Sequence, residues 1–149
     1  MKTRFNLGNV FPAAYQPLVE LDKLIYQTGI DRLQIEMIKI RASQINGCAY
    51  CMNKHIEDAL KHGEKPGRIY VMSAWREAKK WFSEEDQVIL AMTEEVTHIS
   101  QHGLSDETFD RALELFGELK TGQILVAIVN INAWNRIGVS LNLHPVSST

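Results

Sequence analysis

The stretch CAYCMNKH, residues 48–55, holds both cysteines of the chain and a histidine four residues past the second. A thiol pair at this spacing supports three kinds of chemistry. It can cycle between dithiol and disulfide, it can clamp a metal together with the histidine, or it can be two small apolar side chains buried side by side. On a helix, Cys51 and His55 share a face one turn apart, so the imidazole can take the Cys51 proton directly or through a water. If Asn46 caps that helix, Cys48 lies in its first turn, where free amide N–H groups and the positive dipole end favour a thiolate. The dipole therefore favours Cys48 and the base favours Cys51. A positioned general base adds about 10²–10⁴ in rate, which makes Cys51 the preferred nucleophile. Cys48 would then resolve its sulfenic acid to a disulfide. As a zinc site, Cys48, Cys51 and His55 would need a fourth ligand, for which Glu36 or His98 is available. No second CxxC is present to close a structural metal site.

The elements that must position these residues read as helix after helix, with no sustained alternation of β-branched residues. Leu18, Leu21 and Ile25 mark a helix over 15–28 that stops at Gly29. Asp31 is a good N-cap with Gln34 as its capping-box partner, opening a helix to about Ile45. A break at Asn46-Gly47 precedes the cysteine helix, 48–62, ended by Gly63. A shorter piece over 68–80 surrounds Trp75. Ser83, followed by Glu84, Glu85 and Asp86, caps the next helix. Ser105 caps another, with Leu104 placed to staple onto Phe109, and Gly117 ends it. A last helix spans 121–142, and Pro145 with SST forms a loose tail. The expectation is one all-α domain over 1–149, of about six to eight helices, with the CxxC at a helix N-terminus. The last helix is apolar almost all round, through Ile124, Leu125, Val126, Ile128, Val129 and Ile131. A central place in a bundle accounts for part of this and contact between subunits for the rest, so a homo-oligomer is expected.

Composition narrows the class. The chain has 149 residues, 45% apolar and 23% charged, with net charge −2. This is an ordinary globular balance with no basic footprint for nucleic acid. The start lacks the apolar run of a signal peptide, and the longest apolar stretch, 124–134, is about half a membrane span and carries Asn130 and Asn132. A cytoplasmic protein without a membrane segment is expected, and in that compartment a CxxC favours a catalytic or metal role over a structural disulfide. Glu36 shares a helical arc with Arg32, Lys39 and Ser43, which by periodicity alone reads as a solvated stripe of i,i+4 ion pairs. Asn132, Asn135 and Arg136 read as side chains that satisfy helix ends and a subunit boundary. His62, His98, His102 and His144 are not expected to carry chemistry.

Glu36, twelve positions before the first cysteine, together with Cys48, Cys51 and His55, resembles the core motif of the alkyl hydroperoxidase D-like proteins of the carboxymuconolactone decarboxylase superfamily. The resemblance extends through Trp75, Phe82-Ser83, Glu94, Thr97 and INAWNR (131–136), and so covers nearly the whole chain. It implies an all-helical fold, assembly as a trimer or as a hexamer of dimers, and a thiol peroxidase without cofactor. Glu36 would polarise a relay through His55 that deprotonates Cys51, which attacks a hydroperoxide. A carboxylate beside a histidine raises its basicity. The reductant implied is a dithiol such as dihydrolipoamide or a small redox protein. The best-studied peroxidases of the family carry a histidine just before the second cysteine. Here that position is Tyr50, a hydrogen-bond donor but a poor base, so the relay would rest on Glu36 and His55. The alternatives from other classes are a disulfide oxidoreductase or redox sensor with little peroxidase activity, and a zinc-binding structural module. Lactone decarboxylation is not expected, because that branch generally lacks the CxxC.

Overall fold

The computed structural model describes residues 2–145, so the last four residues of the expected tail lie outside the described residues. Among the described residues there are seven α-helices, two 3-10 turns and no strand. In chain order the helices are α1 (Leu7–Val10), α2 (Pro12–Ile25), α3 (Arg32–Asn46), α4 (Ala49–Lys61), α5 (Pro66–Val71), α6 (Glu84–Thr97) and α7 (Asp106–Ser140). The 3-10 turns, Met72–Glu77 and Lys79–Trp81, lie between α5 and α6. The piece expected over 68–80 is thus one short α-helix and two tight turns.

Local chemistry sets most boundaries. Asp31 accepts hydrogen bonds from the Leu33 and Gln34 N–H groups at the start of α3. Gln34 does not return the expected capping-box bond, because its amide faces α6 and donates to Asp86 at 3.2 Å. Ser83 and Asp86 form a complete capping box on α6, and Ser105 caps α7 through the Thr108 N–H. The helix at 15–28 instead begins at Pro12, where a proline is preorganised for the first turn and its missing N–H costs nothing. Gly117 breaks the α7 span with a non-helical φ of 70° and ψ of 173°, so two helical stretches meet there at a kink, as expected from the sequence.

α3 is the central element, packed against α4, α6 and α7. Its Ile35, Met37, Ile38, Ile40 and Ala42 are at most 1% exposed, each of the larger ones contributing about 1.5–3 kcal/mol by leaving water. α7 buries Ile124, Ala127, Ile128 and Ile131 against this core. On its other side Leu125, Val126 and Val129 remain 38–53% exposed. One chain therefore covers only part of that apolar circumference.

A candidate redox site at the start of α4

The α3–α4 junction is very short. Gly47 adopts the left-handed conformation that ends α3 (φ 66°), and the Cys48 N–H donates to the Ser43 carbonyl at 3.0 Å. Glycine suits that turn because a side chain there is strained. Cys48 rather than Asn46 is the N-cap of α4, its sulfur accepting from the Cys51 N–H at 3.4 Å. Cys51 is therefore the third residue of α4, inside the first turn, where the positive dipole end acts on it. The two cysteines form a disulfide with Cα atoms 5.3 Å apart. Both are buried, at 2% and 5% exposure.

His55 lies one turn further along α4 and is 5% exposed. Its Nδ1 is 2.9 Å from Glu36 Oε2, while the Tyr26 hydroxyl donates to Glu36 Oε1 at 2.8 Å. Arg32 stands 3.8 Å from the same carboxylate. Glu36, Lys39 and Ser43 are all fully buried, so the polar arc of α3 is no solvated stripe. α2 covers it. Lys39 pairs with Asp22 of α2 and lies over the Tyr26 ring, 4.4 Å from its centre. These partners stabilise charges that burial alone would make costly.

Electrostatics set the imidazole's state. Burial pushes the His55 pKa below its ordinary value, the Glu36 hydrogen bond opposes this, and the Lys39 charge adds to the lowering. The expected rise in basicity from Glu36 is present but outweighed by desolvation. The outcome is a neutral imidazole near neutral pH, which is the form that accepts a proton. Lys39 is likewise lowered by burial, with Asp22 opposing. The Tyr26 hydroxyl is raised by burial and by Glu36, so it stays a donor.

A cavity of about 410 Å³ opens onto this cluster. Tyr50, Cys51, Lys54, His55 and Asp22 form its polar side. Leu7, Val19, Trp134, Ile137, Leu141 and Leu143 form its apolar wall. Cys51 lines the cavity and Cys48 does not. The N-terminal segment is held over this space by the end of α7: the Arg4 N–H donates to the Leu141 carbonyl at 3.0 Å and its guanidinium to the Ser140 carbonyl at 2.9 Å. Tyr15 and Trp134 meet edge to face within the lining, centres 5.2 Å apart.

Metal ligation finds little support in this arrangement. Glu36, His55 and Asp58 bring ligand atoms within 4.8 Å of one another, but Glu36 is bonded to Tyr26 and His55, and Asp58 to Lys54 at 2.9 Å. His98 lies at the far end of α6, in a separate depression with Arg76 and Glu94, so the structure does not bring it to the cysteines. Asn132 and Asn135 both accept from Asn46 at 2.9 Å, Asn135 also donates to Ser43, and Asn132 donates to Thr97 at 3.0 Å. They tie α7 to the end of α3 through side-chain bonds rather than by satisfying the backbone groups of a helix end. Trp75 donates to Glu94 at 3.0 Å, and Arg41 pairs with the same carboxylate.

The family model of the carboxymuconolactone decarboxylase family matches residues 12–94, more than half the chain. The chain belongs to this family. An uncharacterised Bacillus subtilis protein, YdfG, is 35% identical over 147 residues, 99% of each chain. A crystal structure from Agrobacterium tumefaciens is 35% identical, covers 98% of this chain and 100% of its own, and has a TM-score of 0.92. That protein is described as of unknown function and provisionally as the antioxidant defence protein AhpD. A peroxidase-related protein from Silicibacter sp. TM1040, 20% identical, shares the fold with a TM-score of 0.73 over 93% of this chain and 70% of its own. The protein is thus an all-helical, AhpD-like member of the carboxymuconolactone decarboxylase superfamily. Within this family member the matched region holds Glu36, Cys48, Cys51 and His55, whereas Leu7 and every α7 residue of the cavity wall lie outside it.

Sequence reasoning did not find Tyr26, Asp22, Lys39 or Gly138 as part of the site. Gly138 of α7 is buried against the disulfide. Asp22 and Tyr26, four residues apart at the end of α2 and its C-cap, are the sequence signal that could have pointed to a polar face there.

Proposed function

We propose that the protein is a thiol peroxidase that reduces organic hydroperoxides with Cys51 as attacking and Cys48 as resolving thiol. The observation that carries this is the line from cavity to buried carboxylate. Cys51 and His55 face the same cavity, and His55 Nδ1 is held by Glu36, leaving Nε2 for the thiol proton. With the cap at Cys48, Cys51 lies in the first turn of α4 beside its base while Cys48 Sγ receives the Cys51 N–H, so the helix end acts on both sulfurs and the base on Cys51.

In the cycle, the Cys51 thiolate attacks one peroxide oxygen and the O–O bond breaks. The alkoxide leaves and takes a proton to become the alcohol. Cys51 sulfenic acid then reacts with the Cys48 thiol, forming the S–S bond and releasing water. An external dithiol, either dihydrolipoamide-like or a small redox protein, returns both cysteines to thiols by exchange. Glu36 orients His55, and Tyr50 offers a hydroxyl at the cavity edge. A cytoplasmic setting, where such pairs are kept reduced, fits this cycle. A homo-oligomer, trimer or hexamer, would cover Leu125, Val126 and Val129 of α7.

The test is stopped-flow oxidation of the reduced, metal-free protein by one equivalent of an organic hydroperoxide, with free thiols and disulfide mass counted. Rapid loss of two thiols per chain supports the reading. Oxidation no faster than that of a free thiol overturns it and leaves a disulfide exchanger as the better account.

A further inference from the structure

We infer that Gly138 is a positioning residue of the dithiol–disulfide couple: its missing side chain is the space into which the bonded sulfurs fit. This rests on the redox reading of the cysteine pair. A Cβ at Gly138 would stand 2.9 Å from Cys48 Sγ and 3.4 Å from Cys51 Sγ. The first distance is below ordinary contact for a carbon and a sulfur, and the second is tight.

Two further observations show that the glycine is not there for its backbone. Gly138 lies within α7 and is not among the positive-φ glycines, so its conformation is open to any residue. A glycine inside a helix is less favourable than alanine, and the position is buried. Gly122, also inside α7, has nothing within 4 Å of a Cβ built on it. The same substitution therefore meets open space at one site and two sulfurs at the other.

Nor can α7 move aside easily. One turn before Gly138, Asn135 is fully buried and bonded to Asn46 and Ser43, immediately before the CxxC. One turn after it, the Leu143 N–H donates to the Gly138 carbonyl at 2.9 Å. A methyl group at 138 would thus press on the sulfurs. In the dithiol, Cys48 Sγ is the free end of a side chain and can turn about χ1. In the disulfide, the bond to Cys51 fixes it against α7. The clash falls on the oxidised state.

The experiment equilibrates wild type, Gly138→Ala and Gly122→Ala with graded ratios of oxidised and reduced lipoate, then measures the disulfide fraction by alkylation and mass. For Gly138→Ala the midpoint should move toward the dithiol by about tenfold or more, about 30 mV for a two-electron couple. Gly122→Ala should match wild type. A Gly138→Ala midpoint that moves toward the dithiol by less than about tenfold, about 30 mV, overturns the inference. No peroxide is used, so failure of the peroxidase reading leaves this result interpretable, and the reverse holds as well.

Folding of the oxidised variant is controlled separately. In a Cys48→Ala background, where the sulfur 2.9 Å away is gone, Gly138→Ala should no longer lower the denaturation midpoint. An equal loss in both backgrounds would show that the methyl meets something other than the sulfur, and would overturn the assignment.

Discussion

Two buried polar clusters hang on α3, one around Glu36 and Lys39 and one at its last turn around Ser43 and Asn46. Both obey the same rule, that buried polar groups find partners. Their composition differs. The first gathers a carboxylate, an imidazole, a phenol and a Lys39–Asp22 ion pair, and has one side open to the cavity. The second is built of amides and a hydroxyl, which cannot change charge, and holds α7 against the cysteine turn. Proton transfer needs groups whose charge can move, while a clamp needs groups whose charge cannot. The same helix therefore carries a reactive face and a fixed end within two turns.

Substitutions should separate the two clusters by what they damage. Cys51→Ser has the largest expected effect: hydroperoxide consumption should fall to the buffer rate while the reduced fold persists by circular dichroism. Residual turnover near wild type would move the nucleophile to Cys48. His55→Gln should slow the loss of the first thiol by about 10²–10⁴, and stopped-flow traces with loss under tenfold would remove the imidazole from the relay. Asn135→Ala acts on the other cluster. It removes one buried hydrogen bond each from Ser43 and Asn46, which keep the Lys39 carbonyl and Asn132 as partners, so urea denaturation should show a loss of about 1–3 kcal/mol, at about 0.5–1.5 kcal/mol per bond. The folded variant should still form its disulfide. A large rate loss with unchanged stability would break the distinction between the clusters.

The smallest effect is that of pH. His55 sits below its ordinary value of 6.5, so the unfolded chain takes up the proton first as pH falls. The stability tied to neutral His55 is complete above about pH 6.5 and is lost as pH drops through the folded value. Denaturation midpoints from pH 7.5 down to 5 should fall more steeply for wild type than for His55→Gln. Parallel slopes would place the titration elsewhere.

Much of this was legible in the sequence, and the boundary is physical. Helix starts at Asp31, Ser83 and Ser105 depend on neighbours within four residues, so the local pattern sufficed. The motif Glu36–Cys48–Cys51–His55 carried the family and the grouping of the four side chains. The environment of Glu36 was not legible, because an arc of Arg32, Glu36, Lys39 and Ser43 looks the same whether water or another helix faces it. Tyr26 and Asp22 decide between those cases, and they come from a different element. The cap was misplaced by two residues. Asn46 is a common capping residue, but here it is the last residue of α3, and the left-handed Gly47 turns the chain so that Cys48 takes the cap.

The cavity wall and the reactive residues come from different stretches of the chain. Mutations near either end, at Leu7 or along Trp134, Ile137, Leu141 and Leu143, can reshape what enters without altering Glu36, the cysteines or His55. The container can thus be altered one residue at a time while the reacting groups stay as they are.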